Sequence, residues 1–226
     1  MGLSTKDLVE SSGSGMPKTI IPGNHTLKIN KVYIEPFKFI DDAYHLYMDV
    51  ETKPIENFEG FMIDKDDPTK GNYAGQVGRI KASQYAYADG ETKSGVKIQR
   101  DRSMLIFLQN LCKALDINEW FVDQDGKHNS IEEFITAFNN EKPFKDIYLD
   151  FCVAGKEYMS KSGYTNYDMW LPKSSREGYA FSAEESGKTM VYNEDIHLKK
   201  LEVTPVESFG SDLDIDAKSS TDFSLD

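Results

Sequence analysis

Apolar and polar residues alternate along much of the chain, with the two-residue period of a strand that buries one face. Between Thr26 and Ile34, Leu27 and Ile29 alternate, the pattern slips by one residue, and it resumes at Val32 and Ile34. A slip of one residue predicts a β-bulge, the device that bends a strand around a barrel. The next strand is clearer: Tyr44, Leu46, Met48 and Val50 point one way and His45, Tyr47 and Asp49 the other. A third strand is predicted over Phe58–Ile63, closed by a turn rich in Asp, Pro and Gly from Asp64 to Gly71. Residues 72–88 read as a strand or a helix around Val77–Tyr87, where the period is ambiguous.

The period then changes. Met104, Leu108, Leu111 and Leu115 recur at helical spacing, with Leu105 and Cys112 beside them. A second helix is predicted to start at Ser130, with Glu133 completing a capping box and Pro143 stopping it. Alternation returns at Ile147, Leu149, Phe151 and Val153. Lys161-Ser162-Gly163 reads as a hairpin turn into a strand from Tyr164 to Leu171, and a last strand is expected over Ile196–Val203.

Strands, a helical insert and strands again make a mainly β chain, α+β by content. The order fits an OB-like five-stranded Greek-key barrel with a two-helix insert, at about residues 101–142, between its third and fourth strands. A generic α+β sandwich is the rival architecture. Residues 1–20 read as a flexible arm, because Ser11-Ser12-Gly13-Ser14-Gly15 is a linker composition. The barrel domain is expected over 21–206 and a disordered acidic tail over 207–226.

Charge complicates the picture. The 226 residues carry a formal charge of −12. The tail, with six acids against Lys218, accounts for −5 of it and leaves −7 on the rest. A nucleic-acid site on such a body has to be a local basic patch. Two stretches qualify. Residues 71–102 carry Arg79, Lys81, Lys93, Lys97, Arg100 and Arg102 against three acids, with Tyr73, Tyr85 and Tyr87 interleaved. Residues 155–176 carry Lys156, Lys161, Lys173 and Arg176 against two acids, with Tyr158, Tyr164, Tyr167 and Trp170 interleaved. Single-stranded DNA suits this mixture, since cations track phosphates while exposed rings stack on unpaired bases. The blander alternative is that these rings pack in the core, in keeping with the usual half-buried habit of Tyr.

The tail is not purely polar. Phe209, Leu213, Ile215, Phe223 and Leu225 are spaced among its acids, an alternation that a partner pocket lined with Lys or Arg recognises. A β-rich OB-like body with an acidic, aromatic-containing tail resembles the single-stranded DNA-binding proteins of bacteria and tailed phages. That resemblance implies non-catalytic, largely sequence-independent binding of single-stranded DNA in phage replication or recombination. It also implies a tail that recruits replication and recombination proteins. Bacterial members end in an acidic run followed by Ile-Pro-Phe. This chain ends Asp222-Phe223-Ser224-Leu225-Asp226, so Asp222, Phe223, Leu225 and Asp226 are the expected partner-binding residues and a phage partner is the expected reader.

Other chemistry is weakly signalled. Asp64, Asp66 and Asp67 are the only seed for a magnesium-dependent nuclease. Phe121–Glu132 matches a calcium loop at Asp123, Asp125, Gly126 and Glu132 but has Phe where the first ligand belongs. Cys112 and Cys152 sit in apolar runs and read as buried thiols. No cofactor and no membrane segment is expected, and the location expected is cytoplasmic. The remaining alternative is a protein-interaction or virion-associated module that uses the same Tyr-rich surface.

Overall fold

The computed structural model describes residues 19–53, 60–63, 71–173 and 178–201. Asp64, Asp66, Asp67, Arg176 and the tail from 207 to 226 lie outside the described residues, as does nearly all of the predicted arm. In chain order the first strands are β1 (Gly23–Pro36), β2 (Tyr44–Thr52), β3 (Gly60–Ile63), β4 (Gly71–Ala74), β5 (Val77–Lys81), β6 (Gly90–Glu91) and β7 (Lys97–Ile98). Helices α1 (Arg100–Ala114), α2 (Asn118–Asp123) and α3 (Ile131–Glu141) follow. The chain then forms β8 (Tyr148–Met159), β9 (Thr165–Trp170), β10 (Phe181–Ala183), the single turn α4 (Glu194–His197) and β11 (Leu198–Lys199).

Five of these strands close a barrel. β1 pairs antiparallel with β2, and β2 with β5. β5 runs parallel to β9 through Lys81 and Trp170. β9 pairs antiparallel with β8, which returns to β1. One parallel pair in an otherwise antiparallel ring, with the helices between the third and fourth barrel strands, is the OB-like arrangement expected from the sequence.

The bulge falls where the alternation slips. The register between β1 and β2 shifts between Ile29 and Lys31. Up to Lys28, β1 pairs with β8; beyond the bulge it leaves that neighbour. The backbone of Val32 is completed instead by a side chain from α3. Asn139 accepts from Val32 N at 2.9 Å and donates to Val32 O at 2.6 Å. A buried strand edge left without such partners would cost roughly 1–3 kcal/mol per orphaned group. The helical insert is thus tied to the barrel through polar as well as apolar contacts.

The apolar contacts follow the two periodicities. Leu27, Ile29 and Val32 of β1 and Leu46, Met48 and Val50 of β2 are buried, together with Ile80, Leu149, Phe151 and Val153. α1 adds Met104, Leu108, Leu111 and Cys112, and α3 adds Ile131, Phe134, Ile135 and Phe138. Ser130 caps α3 by accepting from Glu133 N at 3.2 Å. Glu133 reaches back to Asn129 N at 2.8 Å, one residue before the position a capping box uses. Lys142 ends the helix in the left-handed region, at φ 48°, ahead of Pro143.

Several sequence expectations need correction. The third barrel strand is β5, not Phe58–Ile63: among the described residues β3 pairs only with β4, in a two-stranded sheet separate from the barrel sheet. Residues 118–123 form a third helix in the insert, where only a connection was expected. Ile196 and His197 belong to a helical turn; among the described residues of the predicted last strand only Leu198 and Lys199 pair, parallel to β8, and Glu202 and Val203 lie outside the described residues. β10, which pairs with β8, was not anticipated.

Close packing at the start of the barrel depends on glycine, at Gly78 against Ile20 and at Gly155 against Pro22. A Cβ on Gly155 of β8 would lie 2.5 Å from Pro22 Cγ, so only Gly lets the entering chain lie on that strand. Ile20, two residues earlier, is buried and donates its N–H to Val77 O at 3.0 Å.

His25 sits in the same region, and its Nε2–H donates to Ile21 O at 2.7 Å. Burial pulls its pKa down from 6.5 to about 4, so the folded protein holds it neutral. The folded value lies below the unfolded one. The stabilisation is therefore present above pH 6.5 and is lost as pH falls towards 4. The linked loss is about 3 kcal/mol between pH 7 and pH 4. Denaturant midpoints measured across that range should fall less steeply for His25→Gln than for the wild type. Parallel slopes would show that His25 is not the titrating group.

Candidate nucleic-acid interface

The outward positions of β1 and β2 carry rings. Tyr33 and Tyr47 face each other across the two strands and stack, with centroids 5.6 Å apart and planes at 19°. His45, itself buried, meets Tyr47 at 5.8 Å, Phe37 meets His45 at 5.1 Å, and Phe39 meets Phe37 at 5.4 Å. Five rings therefore run without interruption from the strands into the loop joining β1 to β2. Phe39, at the loop tip, is 85% exposed.

Arg79 of β5 lies over this run. Its guanidinium is 3.7 Å from the Tyr47 centroid and 5.3 Å from that of Tyr33, and it pairs with Glu35. Lys31 approaches the Tyr33 ring at 5.3 Å. The Tyr33 hydroxyl donates to Asp49 at 3.0 Å; burial first, and this carboxylate second, push its pKa up to about 12. The phenol stays neutral, as a stacking surface requires.

Beside Arg79 a groove of about 580 Å³ opens between β5 and β9. Tyr47, Arg79, Tyr158, Tyr167 and Asp168 line it. The two basic, ring-rich stretches of the sequence meet here, through Arg79 from the first and Tyr158 and Tyr167 from the second. The β8–β9 hairpin borders it. Gly163, at φ 82°, makes the turn, and Tyr164 beside it is 72% exposed. Lys156 and Lys161 are exposed on the same hairpin.

Other predicted residues are placed differently. Trp170 is only 6% exposed, with the ammonium groups of Lys81 and Lys199 at 5.9 and 5.7 Å from its ring, so it is not an open platform. Tyr87 pairs with Tyr44 at an isolated bridge and packs against the core; burial pushes its pKa up to about 12. The Lys81 side chain is 8% exposed and bonds Asp168 at 2.6 Å, so its charge is already matched. Tyr85 is exposed on the loop after β5, and Lys93 and Lys97 lie exposed on the β6–β7 hairpin. Arg100 is drawn inward, over the Tyr44 ring at 4.6 Å and onto Asp101 at 2.7 Å. Lys173 is exposed beyond the end of β9.

Sequence reasoning missed Tyr33, Phe37, Phe39, His45 and Tyr47. The signal was available for two of them, because His45 and Tyr47 occupy the outward positions of the most regular strand. No family model matches the chain, and no curated protein or solved structure matches it either.

Among the described residues no three His, Cys, Asp or Glu side chains gather as a metal site, Asp123, Asp125 and Glu132 included. Phe121, in place of the first ligand, packs on Phe134 at 5.3 Å. Cys112 and Cys152 are both buried, and burial pushes their thiols up to about 12, far from a nucleophile's range. No described helix is long and apolar enough to cross a membrane.

Proposed function

We propose that this barrel binds single-stranded DNA without catalysis and with little sequence preference. The observation that carries the reading is the set of rings Phe39, Phe37, Tyr47 and Tyr33, linked through the buried His45 ring and overlaid by Arg79, on an OB-like barrel. The face of the second and third barrel strands, with the loops at its two ends, is where such barrels take up oligonucleotides. Rings in series suit unpaired bases, and each base stacked on a side chain is worth about 1–3 kcal/mol. On this reading Arg79 exchanges Glu35 for a phosphate when the strand arrives. In keeping with the resemblance to phage single-stranded DNA-binding proteins, residues 207–226 recruit replication and recombination partners through Asp222, Phe223, Leu225 and Asp226.

A titration tests this directly. Full-length protein and a version ending at Val206 are mixed with labelled oligo-dT and with duplex DNA at low salt. Both are expected to prefer the single strand, the truncated form more tightly because it sheds −5 of charge. Affinity should fall steeply with salt as phosphates shed counterions. Absence of single-strand binding by the truncated form at low salt would end the proposal.

One observation favours a second reading. Arg79 and Lys81 are both paired with carboxylates, Glu35 and Asp168, so two of the cations nearest the face are already neutralised. A surface of that kind also suits a protein partner, as Tyr and Arg are frequent anchors of such interfaces. A stable hetero-complex with no response to DNA would support it.

A further inference from the structure

A second groove, of about 600 Å³, lies between α1 and the chain that follows β9. Lys113, Lys173 and Lys188 line it together with Phe107, Tyr179 and Phe181. All three lysines are exposed. None makes an ion pair with a described residue, in contrast to Arg79 and Lys81. No carboxylate is among the lining residues. In a chain of net charge −12, three cations with no ion-pair partner among the described residues, around one ring-containing groove, are a local concentration of positive charge.

Its position connects it to the ring face. Ala82 and Leu171, in its wall, directly follow Lys81 and Trp170, the residues at which β5 and β9 pair. The first groove is walled by Gly78 and Arg79 of β5 and by Asp168 and Met169 of β9. The two grooves therefore lie along the same pair of parallel strands, one beside them and one just past their ends.

We propose that the second groove continues the DNA path. Lys113, Lys173 and Lys188 hold phosphates of a strand longer than the ring face can cover, and Tyr179 offers a ring to one of its bases. This inference rests on the single-strand reading of the ring face. The favoured occupant is the phosphodiester chain, because the groove prolongs the seam on which the first groove lies.

Full-length protein carrying Lys113→Ala, Lys173→Ala and Lys188→Ala together tests it. The changes are at exposed positions, and an unchanged denaturation midpoint confirms the fold. Two oligo-dT lengths are used, about 8 and about 30 nucleotides, one within and one well beyond the roughly 4–16 nucleotides that such barrels usually cover. The variant should bind the short oligonucleotide as the wild type does and the long one about tenfold more weakly. Its log–log salt slope on the long oligonucleotide should shrink by about 2, for three lost phosphate contacts. Unchanged affinity and slope for the long oligonucleotide overturn the proposal, as does equal weakening at both lengths. If the variant instead loses only the binding of a peptide of residues 207–226, the groove is a receptor for the tail and the proposal falls. Failure of the wild type to bind either length removes the ring-face reading itself, a result distinct from all of these.

Discussion

Protein carrying Phe39→Ala and Tyr164→Ala is expected to bind oligo-dT at least 30-fold more weakly than the wild type. The two rings stand in different loops, one between β1 and β2 and one beside the β8–β9 turn. They are 85% and 72% exposed, so neither supports the core. Each stacked base is worth about 1–3 kcal/mol, and two lost platforms at the lower bound remove about 2 kcal/mol. A tenfold change corresponds to about 1.4 kcal/mol. Fluorescence anisotropy gives the affinity and a urea titration the stability. The denaturation midpoint should not move. Wild-type affinity in the double variant would show that the bases do not use these rings.

Phe138→Ala should cost about 3–5 kcal/mol of stability. Phe138 is fully buried, with Phe144 at 4.7 Å, Trp120 at 5.2 Å and Phe134 at 6.5 Å around it. Removing the ring leaves a cavity that none of these aromatic neighbours fills without leaving its own rotamer. Phe138 also precedes Asn139 on α3, so a shift of that helix would strain the two bonds to Val32. The urea midpoint reports the loss. A shift worth less than about 1 kcal/mol would mean that the insert repacks freely.

The elements readable in the sequence were those in which one periodicity acts alone. β2 buries one face and shows the other, so its alternation is complete. The bulge in β1 was visible because a slip in alternation has no other simple cause. Both long helices of the insert carry broad apolar faces, and Ser130 and Pro143 mark the ends of the second. β5 was obscure for a physical reason. Of its five residues only Ile80 and Lys81 are buried, and Lys81 owes its burial to Asp168, a partner far along the chain. Phe58–Ile63 has the stronger apolar run, yet its strand pairs outside the barrel. The interface was half legible. Charge and ring content located both stretches, but composition does not say which way a ring points. Trp170 and Tyr87 turned inward, while Tyr33 and Tyr47 lay outside the two stretches that charge and ring content had located.

Closure of the barrel carries a consequence for how the protein is made. The side chain of Thr26 bonds Asp150 at 2.6 Å, across 124 positions of sequence, and the parallel seam joins Lys81 to Trp170. A growing chain can form the β1–β2 ribbon early, but its free edge has no partner until the ribosome has delivered residues beyond 150. Pairings this distant fold slowly, because a long loop has to be ordered before any contact rewards it. Until then the ribbon presents an unpaired edge, the kind of surface that chaperones cover and that other nascent chains extend.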